Sequence, residues 1–301
     1  MKKTLIIVLG PTGVGKTELT LTLAEKLQTE IISCDSRQMF KEMSIGTARP
    51  TDEQTKRVKH HFVGNISVTD YYSCGRFEIE AIALLNELFK TKDVVLMTGG
   101  SMLYIDAICK GIDDRPEVNQ ELRDSLWARF DKEGIGPMRD ELAQLDPAYA
   151  ATMDAQNYKR IIHALEICLS TGQPYSSIRQ NTKKDRDFDI IKIGLNLPRE
   201  ELYERINKRV DIMMAEGLLD EVKSLYAQKE LNSLNTVGYK ELFNYLDGVW
   251  EYDYAVGMIK QDSRRYAKKQ LTWFRKDEEI NWFAPTDIDG VLNKLKEMGI
   301  G

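Results

Sequence analysis

Residues 4–17 read TLIIVLGPTGVGKT. The first six form a short, continuous apolar run rich in Ile and Val, the pattern of a parallel strand buried on both faces. Directly behind it, residues 10–17 (GPTGVGKT) match G-x-x-x-x-G-K-[ST], and residues 16–27 then carry apolar side chains at every third or fourth position. A strand, a glycine-rich turn and a helix in that order are the context a phosphate-binding loop requires. Its glycines let backbone N–H groups wrap around phosphate oxygens at a helix N-terminus, Lys16 neutralises the terminal phosphate, and the Thr17 hydroxyl can ligate Mg²⁺. Gly10, Pro11, Thr12, Gly13, Val14, Gly15, Lys16 and Thr17 are therefore the candidate phosphate-chain site.

The strand pattern recurs at residues 30–33 and 94–97, with helical stretches at 16–27 and 77–89 between. That alternation predicts a doubly wound parallel sheet. From about Arg115 to Arg179 strand character disappears. Apolar residues return at helical spacing instead, at Val118, Leu122, Leu126 and Phe130, and at Ile161, Ile162, Leu165 and Leu169. The last clear helix of that block stops at Gly172 and Pro174, and a polar linker, residues 179–189, follows. A strand resumes at 190–197, and the remainder is mostly helical, with a turn near Gly238 and a short edge strand at 280–283. The expected fold is α/β: a P-loop NTPase-like parallel sheet flanked by helices, residues 1–114 and 186–301, with an all-helical insertion at 115–185.

With 301 residues, 42% hydrophobic and 30% charged, the chain is globular rather than disordered or fibrous. No apolar run approaches the ~20 residues of a membrane helix and nothing resembles a signal segment, so a cytoplasmic, membrane-free protein is expected. Forty-two Lys and Arg against 47 Asp and Glu give a net charge of -5, so a nucleic-acid partner has to be held by a local basic surface. Four cysteines without a CxxC pair fit neither a zinc site nor a disulfide framework, and three histidines are too few for a His-rich metal cluster.

A phosphate cradle fixes the group that is held, not the bond that breaks, so ATPase, kinase and diphosphate-leaving-group chemistry all stay open. The second strand leads into Asp35, at the end of the sheet where open α/β folds place ligands, as a Mg²⁺ ligand or a general base. The strand at residue 94 ends in Thr98, Gly99, Gly100 and Ser101, where an ATP-hydrolysing enzyme often presents an Asp. The missing carboxylate leans against an energy-transducing ATPase. Residues 260–276 carry seven basic side chains and one acid, with Tyr266, Trp273 and Phe274 interleaved as inward-packing aromatics. This segment reads either as a surface for nucleic-acid phosphates or as a solvated helix face. Arg123, Lys159 and Arg160 in the insertion, and Arg205, Lys208 and Arg209 after it, add basic residues, and Arg205 or Arg209 is a candidate to stabilise a leaving phosphate.

Taken together, GPTGVGKT at Gly10, DSRQ at Asp35, IGTARP at Ile45, HHF at His60, GGSMLY at Gly99, RIIHALE at Arg160, RINKR at Arg205, TVGYKEL at Thr236 and RRYAKKQLTWFRK at Arg264 resemble the tRNA dimethylallyltransferase family over nearly the whole chain. The resemblance implies transfer of a dimethylallyl group from its diphosphate to N6 of the adenosine beside the anticodon, with the phosphate loop holding prenyl diphosphate rather than ATP. It implies that Asp35 is the general base, that Lys16, Thr17 and Arg209 hold the diphosphate, that Ser101 is a further catalytic residue, and that Mg²⁺ is shared through Thr17. It also implies RNA contacts at Asp35, Ser36, Arg37, Gln38, Ser101 and Arg123. The anticodon arm falls to Lys159, Arg160, Ile161, Ile162 and His163 and to Asn235, Thr236, Val237, Gly238, Tyr239 and Lys240, with the insertion as a clamp and a monomer as the working form.

Ser101 stands where this family usually has Thr, Phe40 where Tyr is frequent, Arg49 where Lys is frequent and His163 where Arg is common. His60 and His61 read equally well as a packed pair and as functional residues. Three rival readings remain: prenylation of free adenine nucleotides, a P-loop kinase for a small metabolite, and an RNA-binding protein with a regulatory nucleotide loop.

Overall fold

Every side chain of β1 (Thr4–Leu9) is buried, and successive residues serve opposite faces of the sheet. In the computed structural model, which describes residues 2–113, 119–179 and 183–300, Leu5, Ile7 and Leu9 join one apolar core while Ile6 and Val8 join another. A strand covered on both sides has no water-facing position, which is why its sequence is an unbroken apolar run. Each such Leu or Ile contributes about 1.5–3 kcal/mol by burial.

The chain continues through α1 (Lys16–Lys26), β2 (Ile31–Ser33), α2 (Asp52–Arg57), β3 (His60–His61), α3 (Cys74–Leu88), β4 (Val94–Gly99) and α4 (Met102–Lys110). A helical block follows, α5 (Gln120–Glu133), α6 (Gly136–Leu145), α7 (Pro147–Ala150), α8 (Tyr158–Thr171) and α9 (Tyr175–Ile178). The chain closes with β5 (Asp189–Leu195), α10 (Arg199–Ala215), α11 (Leu218–Ser224), α12 (Tyr239–Leu246), α13 (Tyr252–Phe274), β6 (Ile280–Phe283) and α14 (Ile288–Glu297). The strands form one parallel six-stranded sheet in the order β3-β2-β4-β1-β5-β6. In register, Leu9 lies beside Gly99 and Gly194, so the loops after β1 and β4 leave the sheet side by side. Ligands of open α/β sheets bind at this carboxyl edge.

Two compact units result. Met1–Cys109 with Arg186–Gly301 form the α/β unit, and Lys110–Asp185 form a helical unit that begins a few residues ahead of the boundary read at 115. Arg115 and Val118, and linker residues 180–182, lie outside the described residues. Within the α/β unit, Arg186 donates to Ile108 O and Ala107 O at the end of α4 and to the buried Glu78, each at 2.8 Å. Within the helical unit, Lys184 N donates to Lys110 O at 2.8 Å.

Leu126, Met138, Leu142, Tyr149, Ile161, Ile162 and Leu165 fill the core of the helical unit. α8 is capped at its start by the Asn157 side chain and ends on Gly172 in the left-handed region, φ 67°. Beyond Pro174, where the sequence suggested that helix had ended, α9 adds one more turn. Asp146 explains it: its carboxylate caps α7 and also accepts from Ser176 N and Oγ, which ties the turn down. β5 stops at Leu195 rather than 197, because Pro198 initiates α10 and only Asn196 N still reaches Phe283 O.

Candidate active site

Gly13 and Gly15 have φ of 79° and 104°, a region that disfavours any side chain, and a Cβ on Gly15 would meet Arg205 Nη2 at 3.0 Å. Gly15 is the N-cap of α1, so the loop delivers its amides at a helix N-terminus. Lys16 Nζ lies across the loop, donating to Gly10 O at 3.0 Å and Pro11 O at 2.8 Å. Burial first, and then the neighbouring Arg209 guanidinium, lower its pKa to about 8. Arg209, on α10, donates to Thr12 Oγ1 at 3.3 Å, and burial disfavours its charge too. Neither cation has an ion-pair partner among the described residues. Two cations pressed together this way are poised for an anion with several charges.

Asp35 sits just beyond β2. Its Oδ1 accepts from Arg37 N at 2.9 Å and Gln38 N at 3.3 Å, while Oδ2 has no hydrogen-bond partner among the described residues. The carboxylate is thus anchored by one oxygen and open at the other. Its charge acts on Lys16, Arg209, Arg37 and Tyr266 alike. Ser101 Oγ accepts from Ser36 N at 2.9 Å and donates to Ser36 Oγ, so it braces the Asp35 loop.

Lys16, Arg209 and Asp35 share one cavity of ≈ 1280 Å³ in the α/β unit, large enough for a nucleotide beside a diphosphate, whereas Ser101 is buried behind the Asp35 loop and does not line it. Lys16, Thr17, Asp35, Ser36, Arg37, Gln38 and Arg209 line it, as do Asn235, Thr236, Val237, Gly238 and Lys240. Ile206, Val210, Met213 and Ile259 make an apolar stretch next to Arg209. Arg205 also lines it, so both candidate arginines reach the phosphate loop. His60 is on the cavity wall, whereas His61 is bound to Glu30 at 2.7 Å.

Several expectations are corrected. Ile161 and Ile162 are 0% and 3% exposed in the helical core and offer RNA no surface; Lys159 and Arg160 beside them are exposed. Tyr239 is fully buried, its hydroxyl bound to Glu221, so its side chain cannot touch RNA. Arg123 and His163 both contact the buried Glu166; burial raises that carboxyl's pKa, but the hydrogen bonds from His163 and Arg123 outweigh it and hold the group below its usual range. Of the three aromatics at the end of α13 only Phe274 enters the core; Tyr266 lines the cavity, and Trp273, 39% exposed, donates to Asp106 Oδ2 at 3.0 Å. The basic charge there is also partly answered, Lys260 by Asp211, Arg265 by Asp262, and Arg264 by the Asn207 side chain. Lys268 and Lys269 have no ion-pair partner among the described residues.

Two residues that sequence reasoning missed hold the site together. Gln270, 2% exposed, accepts from Thr12 N and donates to Gly100 O, both at 2.8 Å, stapling the phosphate loop to the loop after β4. A Cβ on Gly100 would meet Gln270 Nε2 at 2.3 Å. The available signal was that Gln270 falls in the buried stripe Ala255, Ile259, Ala267, Phe274. The second residue, Glu221, accepts from a loop of the cavity wall.

Known proteins resemble this chain over nearly its whole length. The "tRNA dimethylallyltransferase 2" of Parabacteroides distasonis is 57% identical over 97% of this chain and 98% of its own. The "tRNA dimethylallyltransferase 1" of Bacteroides fragilis is likewise 57% identical, over 98% of each chain. The crystal structure of the tRNA isopentenylpyrophosphate transferase from Bacillus halodurans superposes with a TM-score of 0.71 at 35% identity, covering 99% of this chain and 98% of that one. A eukaryotic dimethylallyltransferase, 24% identical, has the same fold with a TM-score of 0.81 over 99% of this chain and 77% of that one. The IPP transferase family matches residues 38–277, a span that begins beyond both the phosphate loop and Asp35. Those two features therefore stand apart from that match, and with it they lead to one conclusion: the chain belongs to the IPP transferase family.

Proposed function

We infer that the chain transfers a dimethylallyl group from dimethylallyl diphosphate to N6 of the adenosine 3′ to the anticodon in tRNA, releasing diphosphate. One observation carries the reading: a single cavity joins Lys16 and Arg209, cations without an ion-pair partner among the described residues, to Asp35, a carboxylate with one oxygen unclaimed among them. The adenine N6 attacks C1 of the dimethylallyl group, the C1–O bond breaks, and its electron pair leaves on the diphosphate. Lys16, Arg209 and the loop amides take up that charge, and Asp35 accepts the proton from N6. Val210, Met213 and Ile259 suit the hydrocarbon tail. A stacked base cannot reach the phosphate loop within a cavity, so the adenosine is flipped out of the anticodon loop.

Thr17, exposed to the cavity, would hold Mg²⁺ together with the diphosphate oxygens. The donor set fits an ion carried by substrate: no group of three or more His, Cys, Asp or Glu suited to a metal exists among the described residues. When bound, Mg²⁺ adds positive charge against the departing diphosphate. Lys159 and Arg160 on the helical unit, and Asn235, Thr236 and Lys240 on the α/β unit, serve the anticodon arm.

The test is incubation with Mg²⁺, dimethylallyl diphosphate and unmodified tRNA, followed by digestion and mass spectrometry. An adenosine heavier by one dimethylallyl group beside the anticodon is expected. Prenylation of AMP with tRNA untouched, or labelled phosphate passing from ATP to a product, would sink the reading.

A further inference from the structure

Residues 44–50 form another wall of the cavity. Three consecutive N–H groups of that loop converge on one carboxylate. Ser44 N at 2.9 Å and Ile45 N at 2.8 Å donate to Glu221 Oε2, and Gly46 N donates to Oε1 at 3.0 Å. Tyr239 OH adds a fourth bond to Oε1 at 2.6 Å. Successive amides curled about an anion form a nest, the device by which loops hold phosphate, and here the anion is the protein's own side chain from α11. The Tyr239 ring packs so tightly on the loop that a Cβ at Gly46 would come within 2.5–2.7 Å of it.

The carbonyl side of the same loop is tied to the acceptor residues. Gln38 Nε2 donates to Thr47 O at 3.2 Å and Ala48 O at 3.1 Å, and Gln38 N is one of the two amides on Asp35 Oδ1. Hydrogen bonds thus run from Asp35 through Gln38 and the loop to Glu221 and Tyr239. The phosphate loop has separate supports, Gln270 and Arg209.

We propose that Glu221, with Tyr239, is a positioning residue for the acceptor half of the site: it fixes the 44–50 loop and, through Gln38, the placement of Asp35 against the adenine, without serving the donor. The proposal rests on the transfer reading above.

Glu221→Gln keeps the side chain's size but turns one acceptor oxygen into a donor facing backbone N–H groups. With tRNA varied it should lose about 10–100-fold in kcat/KM, the range for a charge-assisted hydrogen-bond cluster, and Tyr239→Phe about 3–10-fold. Calorimetric Kd for dimethylallyl diphosphate without tRNA should stay within about twofold in both. Hydrogen exchange at Ser44, Ile45 and Gly46 should quicken. Should Glu221→Ala fold, acetate should restore part of its activity where chloride at equal ionic strength does not. Donor affinity falling in step with kcat/KM, or both variants matching the parent chain, overturns the proposal. A parent chain that prenylates no tRNA overturns the transfer reading instead, and unchanged exchange at residues 44–46 overturns the loop contact whatever the acceptor.

Discussion

Arg209 of the α/β unit and Arg123 of the helical unit are both partly buried arginines carried on helices, yet their surroundings differ. Arg209 meets a neutral hydroxyl, Thr12 Oγ1, and shares its space with Lys16. Arg123 is closed onto the buried carboxylate of Glu166, which also binds His163. A cation crowded by another cation gains from an incoming anion, whereas one already matched to a buried acid gains little. Under the proposed function the contrast favours Arg209 for the diphosphate and Arg123 for internal cohesion, and leaves the exposed Lys159 and Arg160 as charges the helical unit can offer to RNA.

The largest expected effect tests what the cations are for. Asp35→Asn, which removes the base beside them, should lower kcat about 10²–10⁴-fold while tRNA affinity stays within about threefold. A matching collapse in affinity would make Asp35 chiefly a binding residue. Arg209→Ala should cost about 10²–10³ in kcat, and Arg123→Ala should leave single-turnover chemistry at saturating tRNA near that of the parent chain. Equal losses would erase the distinction between the two arginines. Glu166→Ala should destabilise the helical unit by about 1–3 kcal/mol, since Arg123 and His163 are 25% and 32% exposed and can turn to water. Thermal unfolding reads that loss, and donor affinity should not move.

A smaller effect follows from pH. Lys16 has its pKa lowered to about 8, so its charge is present below that value and is lost as pH rises through it. Donor affinity should be greatest below pH 8 and fall above it, by at most about tenfold per unit for one proton. Calorimetry between pH 7 and 9 checks the sign, and affinity rising with pH would contradict it. Lys159→Ala and Arg160→Ala should each weaken tRNA binding a few-fold and flatten the salt slope by roughly 0.7–0.9 per lost phosphate contact. An unchanged slope would assign them to a merely solvated face.

The sequence made β1, β4 and the phosphate loop legible because burial on both faces demands an unbroken apolar run and a phosphate cradle demands glycines. It concealed β3, a two-residue edge strand made of His60 and His61, and α2, which has no buried residue and is set by the Thr51–Gln54 capping box and by Arg57 paired with Glu18 and Glu25 of α1. The cavity-lining positions of Lys16, Thr17 and Asp35 were readable from motif and strand end, and Arg209 was singled out from Arg205 only by the family resemblance. Gln270 and Glu221 were not, because each acts on a loop that the chain brings near only after folding. Glu166 shows what a finer reading could use: it is an acid set in the buried stripe of α8, among Ile162, Leu165 and Cys168, and an acid placed there needs a partner.

The bond from Lys184 N to Lys110 O brings the two ends of the helical unit together like the neck of a purse. An insertion that departs and returns at one point asks its host for only a short turn, and closing so small a gap costs little chain entropy. The architecture is therefore expected to be modular: exchanging, lengthening or excising the residues beyond that neck should leave the sheet's own strand order and cores continuous. Arg186, clasped to the end of α4, marks where such a graft would be sutured.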